Sequence, residues 1–127
     1  MKKIISTPNA PAAIGPYSQA VEVNGALYLS GQLPINPASG KIEATDIEGQ
    51  TKQVLANVGA VLEAAGYKYS DVVKSTVFMS DLANFAGMNA EYQKVYETDS
   101  PARSTFAVKA LPMGALVEIE TIAVVSL

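Results

Sequence analysis

Ala20-Val21-Glu22-Val23-Asn24-Gly25-Ala26-Leu27-Tyr28-Leu29-Ser30 holds two β-rich runs around a dipeptide that turns the chain back on itself. Both central residues of a type I′ turn need positive φ, and Asn-Gly meets that need with little strain, so the stretch reads as a hairpin. Its strands are expected near 18–23 and 26–33. Beyond it, Pro34-Ile35-Asn36-Pro37-Ala38-Ser39-Gly40 is a turn-rich loop whose prolines cannot donate to a central ladder. The period then changes. Ile47, Val54, Leu55, Val58, Val61, Leu62 and Ala65 recur at helical spacing, with Thr45 and Glu48 at capping-box spacing and Gly66 placed to end the helix.

Val72-Val73-Lys74-Ser75-Thr76-Val77-Phe78-Met79 is β-branched and aromatic, a strand. Ser80-Asp81 is placed to cap a second helix carrying Phe85, Met88, Tyr92, Val95 and Tyr96, which should stop before Ser100-Pro101. Strands near 104–109 and 116–126 follow, separated by Leu111-Pro112-Met113-Gly114. The order β-β-β-α-β-α-β-β predicts an α+β fold, a single mixed sheet with two helices packed on one face. The other face needs a cover, and a partner subunit is the simplest one, although an antiparallel sheet also tolerates water on one side.

At 127 residues, 49% hydrophobic and 17% charged, the chain fits one domain spanning 1–127. No apolar run approaches the roughly 20 residues that cross a bilayer. The opening Met1-Lys2-Lys3-Ile4-Ile5-Ser6 lacks the apolar core of a signal peptide, so a cytoplasmic protein is expected. The absences narrow the chemistry. With no cysteine and no histidine, a Ser-His-Asp triad, a Cys-His pair and a zinc-thiolate or His-based metal site are excluded by inventory. A net charge of −3 argues against a nucleic-acid binder. Catalysis is left to carboxylates, lysine, arginine, hydroxyls, amides, backbone groups and water.

Against eight scattered lysines there is one arginine, Arg103, in Pro101-Ala102-Arg103-Ser104-Thr105 at a loop-to-strand junction. Its rigid fork suits a carboxylate, either a substrate's or that of a nearby surface glutamate. On the last strand, Glu118 and Glu120 share a face with Leu116, Ile122 and Val124. That face is either solvated or partly buried, and burial raises a carboxyl pKa. Ser30-Gly31 inside a strand marks a bulge or a close approach. Tyr17, ending the loop Pro11-Ala12-Ala13-Ile14-Gly15-Pro16, walls a pocket or packs on the core. Asn89 either donates to a ligand or sits exposed on its helix.

Together these residues fall into a recognisable pattern. Asn9-Ala10-Pro11-Ala12-Ala13-Ile14-Gly15-Pro16-Tyr17-Ser18-Gln19-Ala20, Ser30-Gly31-Gln32-Leu33-Pro34, Pro101-Ala102-Arg103-Ser104 and Val117-Glu118-Ile119-Glu120 occur in fixed order across essentially the whole chain, with Val73-Lys74-Ser75-Thr76-Val77-Phe78 and Met88-Asn89-Ala90-Glu91-Tyr92 between them. In these stretches the chain resembles the reactive intermediate deaminase (RidA-type) family, once described as translation inhibitors. The resemblance implies a chorismate-mutase-like α+β fold, a homotrimer with active sites in clefts between subunits, no cofactor and no metal. It implies hydrolysis of 2-iminopropanoate and 2-iminobutanoate, by-products of pyridoxal-phosphate dehydratases acting on serine or threonine, to the 2-oxo acid and ammonia. On that reading Arg103 holds the substrate carboxylate and Glu118 positions or activates the attacking water. Backbone groups at Ser30 and Gly31 contact substrate, Tyr17 and Asn89 line the pocket, and Glu120 is not assigned a role. Thr105 stands where many relatives carry cysteine; its hydroxyl still binds substrate, but any thiol-dependent behaviour is lost. Two other readings stay open. One is a non-catalytic oligomer that senses 2-oxo acids and regulates a partner. The other is RNA cleavage, which the acidic charge and missing histidine weigh against.

Overall fold

The computed structural model describes residues 1–125 of the chain. Strands β1 (Lys3–Ile5), β2 (Ala20–Val23) and β3 (Ala26–Gln32) come first, then a small pair, β4 (Ile35–Asn36) and β5 (Lys41–Ile42). They are followed by α1 (Ile47–Ala64), β6 (Val72–Met79), α2 (Phe85–Val95), β7 (Ala102–Ala107) and β8 (Val117–Val124). Six strands form one mixed sheet in the order β1-β2-β3-β8-β6-β7, and β4-β5 form a separate ladder. Only the β6–β7 pairing is parallel, as expected where a helix connects the two strands.

The α+β architecture is the expected one, and its local causes are visible. Asn24 and Gly25 take φ of 50° and 78° between β2 and β3, as the hairpin demands. Gly66 takes φ of 81°, donating to Glu63 O at 3.0 Å while the Tyr67 N–H reaches Leu62 O at 2.9 Å, a Schellman end to α1. The start of α1 departs from the Thr45–Glu48 box: Asp46 is the cap, accepting the Gly49 N–H at 3.1 Å. Gly49 permits this, since a Cβ there would lie 2.6 Å from the Asp46 carboxylate.

Other boundaries move as well. The strand expected at 104–109 starts at Ala102, because parallel pairing in the register Lys74↔Ala102 draws the chain into the sheet directly after Pro101. Asp81 caps not α2 but a 3₁₀ turn, Leu82–Asn84, that leads into it. Tyr96 closes α2 as its C-cap residue. The last strand ends at Val124, and position 126 of its expected span lies outside the described residues. β1 completes the three strands that the expected order places before the first helix, of which the sequence locates only two, and the β4-β5 ladder is an addition; all three are too short to show a period. Among the described residues no helix is long and apolar enough to cross a membrane.

Val54, Leu55, Val58, Val61 and Leu62 of α1 and Met88 and Tyr92 of α2 pack with Leu27, Val77, Val117 and Ile119 on one sheet face, forming the core. The opposite face has no such cover. Pairing lines up Ile4, Val21, Tyr28 and Ile122 across four strands, and sets Phe78 beside Phe106 in an edge-to-face contact with centroids 5.3 Å apart. Tyr28, Phe106 and Val124 are 47%, 44% and 42% exposed there.

One buried side chain shapes the loop before β2. The Gln19 carboxamide accepts the Thr7 N–H at 2.6 Å and donates to the carbonyls of Thr7 (3.0 Å), Ala10 (3.3 Å) and Pro11 (2.8 Å). Leucine at 19 would strand those buried backbone groups. Such losses amount to about 1–3 kcal/mol per group when unrelieved, and loop relaxation relieves part, so we expect Gln19→Leu to destabilise by about 2–4 kcal/mol in urea titration. A change below about 1 kcal/mol would show that the loop holds its shape without this residue.

Candidate active site

Arg103 is the second residue of β7, an edge strand, and pairs with Ser75 of β6. Ser75 is buried on the helix side, so Arg103 points toward the helices as well. There it meets one face of α2. Its Nη1 donates to Asn89 Oδ1 at 2.8 Å, and its Cζ lies 4.8 Å from the Tyr92 ring centre and 5.5 Å from that of Phe85. Phe85, Asn89 and Tyr92 stand at i, i+4 and i+7, the spacing that stacks three side chains along a helix face. The ion pair found among the described residues is Lys94–Glu91 at 2.8 Å, and no carboxylate pairs with Arg103. A recess of about 440 Å³ opens beside the guanidinium, lined by Asn89, Tyr92, Gln93, Tyr96, Glu97 and Ser100.

Thr105 lies two residues along β7 on the same face, opposite Val77. Its hydroxyl is buried without a hydrogen-bond partner among the described residues, as are those of Ser75, Tyr92 and Tyr96. Burial pushes the Tyr92 phenol above its ordinary pKa, with the Arg103 charge pulling the other way. This side of the sheet therefore sets Arg103, which has no ion pair among the described residues, beside a recess that Glu97 also lines, with the unpartnered Thr105 hydroxyl two residues along the strand.

Glu118 is on the other side. It is half-buried on β8, opposite Phe78, with Glu120 next along the same face. Burial raises its carboxyl pKa, and the negative charge of Glu120 raises it further. Gly31 explains how it fits. The β3–β8 register shifts between Leu29 and Gln32, and a Cβ on Gly31 would lie 2.6 Å from Glu118 Oε2. The register shift is the bulge that one reading of this glycine expects, while the group that approaches closely is the Glu118 side chain and not the ligand or second backbone of the other reading. Gly31 also lines a cavity of about 340 Å³ together with Ile14, Tyr17, Pro112 and Met113. Ser30 next to it is occupied by the fold, its N–H donating to Gln19 O at 3.0 Å and its hydroxyl to Ser18 O at 2.6 Å.

The chain thus gathers its candidates into two groups. Arg103, Asn89 and Thr105 share the helix side of the β7 edge, whereas Glu118 and Gly31 share the open side, with Tyr17 beyond Gly31. Within one copy the guanidinium and the carboxylate lie on opposite faces of the sheet. Three contributors escaped the sequence reading. Phe85 and Tyr92 look like ordinary members of an apolar helix stripe, and the available signal was that Asn89 falls at i+4 and i−3 from them. Gln19 lay inside a quoted motif, with nothing in its type to announce four hydrogen bonds. Among the described residues no cluster of three or more acidic, histidine or cysteine side chains is arranged to hold a metal ion.

Comparison with known proteins gives a consistent result. Residues 7–125 match the family model described as Endoribonuclease L-PSP. The chain is 50% identical over 122 residues to Reactive Intermediate Deaminase A, chloroplastic, of Arabidopsis thaliana, covering 96% of this chain and 65% of that protein. It is 48% identical over 124 residues to the 2-iminobutanoate/2-iminopropanoate deaminase of Bos taurus, covering 98% and 90%. Among solved structures, a protein of the conserved Rid family from Yersinia pestis is 52% identical, with a TM-score of 0.96 over 98% of this chain and 100% of that one. With its own α+β sheet, its arginine and its glutamate in the matching stretches, the chain belongs to the Endoribonuclease L-PSP family, among relatives of the reactive intermediate deaminase type.

Proposed function

We propose that this protein hydrolyses imines of short 2-oxo acids, 2-iminobutanoate and 2-iminopropanoate, to the 2-oxo acid and ammonia, at sites completed between copies of the chain. The observation that carries this reading is Arg103: a guanidinium held in place, with no carboxylate partner among the described residues. A substrate carboxylate supplies the missing partner through two parallel charge-assisted bonds. The name of the 48% identical relative from Bos taurus points to the same substrates.

The remaining chemistry is modest. A protonated C=N is already electrophilic, so water attack needs orientation and a proton acceptor. Glu118 takes a proton from water as the oxygen bonds to the imine carbon, giving a tetrahedral amino alcohol. Glu118 then returns the proton to nitrogen, and the C–N bond breaks as the carbonyl forms, the hydroxyl proton passing to the Glu118 carboxylate and on to the departing ammonia, which leaves as ammonium. General acid–base help of this kind contributes about 10²–10⁴-fold, most when the pKa lies near the working pH. Burial and Glu120 move Glu118 in that direction. Because Glu118 and Arg103 face opposite ways in one copy, a second copy must bring its Glu118 face to the first copy's β7 edge. The exposed Tyr28, Phe106 and Val124 give such a contact apolar area to bury. A homotrimer meets both needs, with Tyr17 and the Gly31 backbone on one wall and Asn89 and Thr105 on the other.

The pH profile tests the assignment of the base. A raised pKa means that the active carboxylate is lost earlier as pH falls, so kcat/KM should drop through a limb above the ordinary carboxylate range. Glu120→Gln removes the neighbouring negative charge and should move that limb to lower pH. The assay uses imine generated in situ by a threonine dehydratase, with ammonia release followed. A limb that stays in place in Glu120→Gln, or a flat profile, removes Glu118 from the mechanism.

A further inference from the structure

An arginine that binds a substrate must be held still, and the common device is a second-row carboxylate. That device has a drawback: it partly neutralises the charge the ligand needs and offers the fork a competing partner. Arg103 is held differently. One amide oxygen takes one of its five N–H groups, and two aromatic rings, Tyr92 at 4.8 Å and Phe85 at 5.5 Å, lie against the guanidinium. All three come from a single face of α2, so one rigid element sets the position of the fork.

We propose that Phe85 and Tyr92 are positioning residues that orient Arg103 for a carboxylate through their ring faces while leaving its charge uncompensated. This rests on the reading of Arg103 as a carboxylate site and deepens it. The ring quadrupole attracts the cation without carrying net charge, and the attraction grows as water is excluded. Tyr92 is buried, whereas Phe85 is 38% exposed, so the contact with Tyr92 is the one better shielded from water. A flexible arginine must lose its rotamer freedom when ligand arrives, and a stacked one has already lost it. The role assigned to Tyr92 belongs to its ring and not to its hydroxyl, which is buried without a partner.

The test separates ring from hydroxyl and binding from hydrolysis. The probe is 2-oxobutanoate titrated calorimetrically into the purified, assembled protein, alongside imine hydrolysis kinetics. Phe85→Leu and Tyr92→Leu should each weaken binding about tenfold, equivalent to ~1.4 kcal/mol, and raise KM in parallel. Their kcat should change far less, as expected when an interaction is made equally in ground and transition states. Tyr92→Phe should bind as the unaltered protein does. A purely structural role would lower the melting temperature without moving the dissociation constant of the folded protein. If Tyr92→Leu fails to fold, Phe85→Leu, at a more exposed position, still decides. Unchanged binding in the folded leucine variants overturns the proposal, as does a Tyr92→Phe loss equal to that of Tyr92→Leu. No binding of 2-oxobutanoate by the unaltered protein overturns it as well. Binding that follows the rings in a protein that hydrolyses no imine leaves the cradle standing and fails the hydrolytic reading alone.

Discussion

Arg103→Ala is expected to lower kcat/KM for imine hydrolysis by about 10²–10⁴-fold, with the fold intact. Two charge-assisted hydrogen bonds are lost, each worth about 1.5–3 kcal/mol, and each ~1.4 kcal/mol corresponds to a factor of ten. Orientation lost at the reacting carbon adds to the effect. Arg103 is only partly buried on an edge strand and pairs with no carboxylate, so its removal strands no buried charge. The melting temperature should therefore shift by no more than a few degrees, roughly the effect of 1 kcal/mol in a chain of this size. Ammonia release coupled to a threonine dehydratase measures the activity. Retention within about fivefold would mean that carboxylate binding lies elsewhere.

Glu118→Gln tests the other half and separates an enzyme from an oxo-acid sensor. Glutamine keeps the size and a hydrogen-bonding group but cannot accept the proton from water. A fall in kcat of about 10²–10⁴-fold is expected, with 2-oxobutanoate binding kept within about threefold. A sensor would lose neither, because it has no proton to move. Stability should change in the opposite sense from activity. With its folded pKa raised, Glu118 binds a proton more tightly folded than unfolded, so its contribution falls as pH rises through the shifted value. A neutral amide escapes that penalty, and Glu118→Gln should be the more stable protein at neutral pH. The residue is kept at some thermal expense for what it does.

How much of this was legible beforehand differs by element. The strand read at 72–79 has those bounds, since alternating Ser75, Val77 and Met79 must face a core. Asn24-Gly25 announced its hairpin because few residue pairs accept two positive φ values. Glu118 and Glu120 share a face for the simple reason that strands have period two. What period two does not carry is the relation between strands. Whether Arg103 and Glu118 face the same way depends on Arg103 pairing with Ser75 and Glu118 with Phe78, and that register is set by the assembled sheet. β1 and the β4-β5 ladder, with three and two residues per strand, are too short for any periodicity to register. The stacking of Phe85 and Tyr92 on Arg103 was hidden by their double use, as apolar stripe and as wall for a cation.

The placement of Arg103 and Glu118 on opposite sides of the sheet has a consequence for symmetry. A twofold pair of identical chains joins through one shared, self-complementary patch, which two patches facing away from each other do not form. Contact between unlike patches is head-to-tail, and such contacts either close into a ring or run on as a filament. In the proposed homotrimer, a three-membered ring would consume every patch of both kinds, so no copy at an end would be left offering an unmet surface to the next. Closure would then serve solubility as well as chemistry.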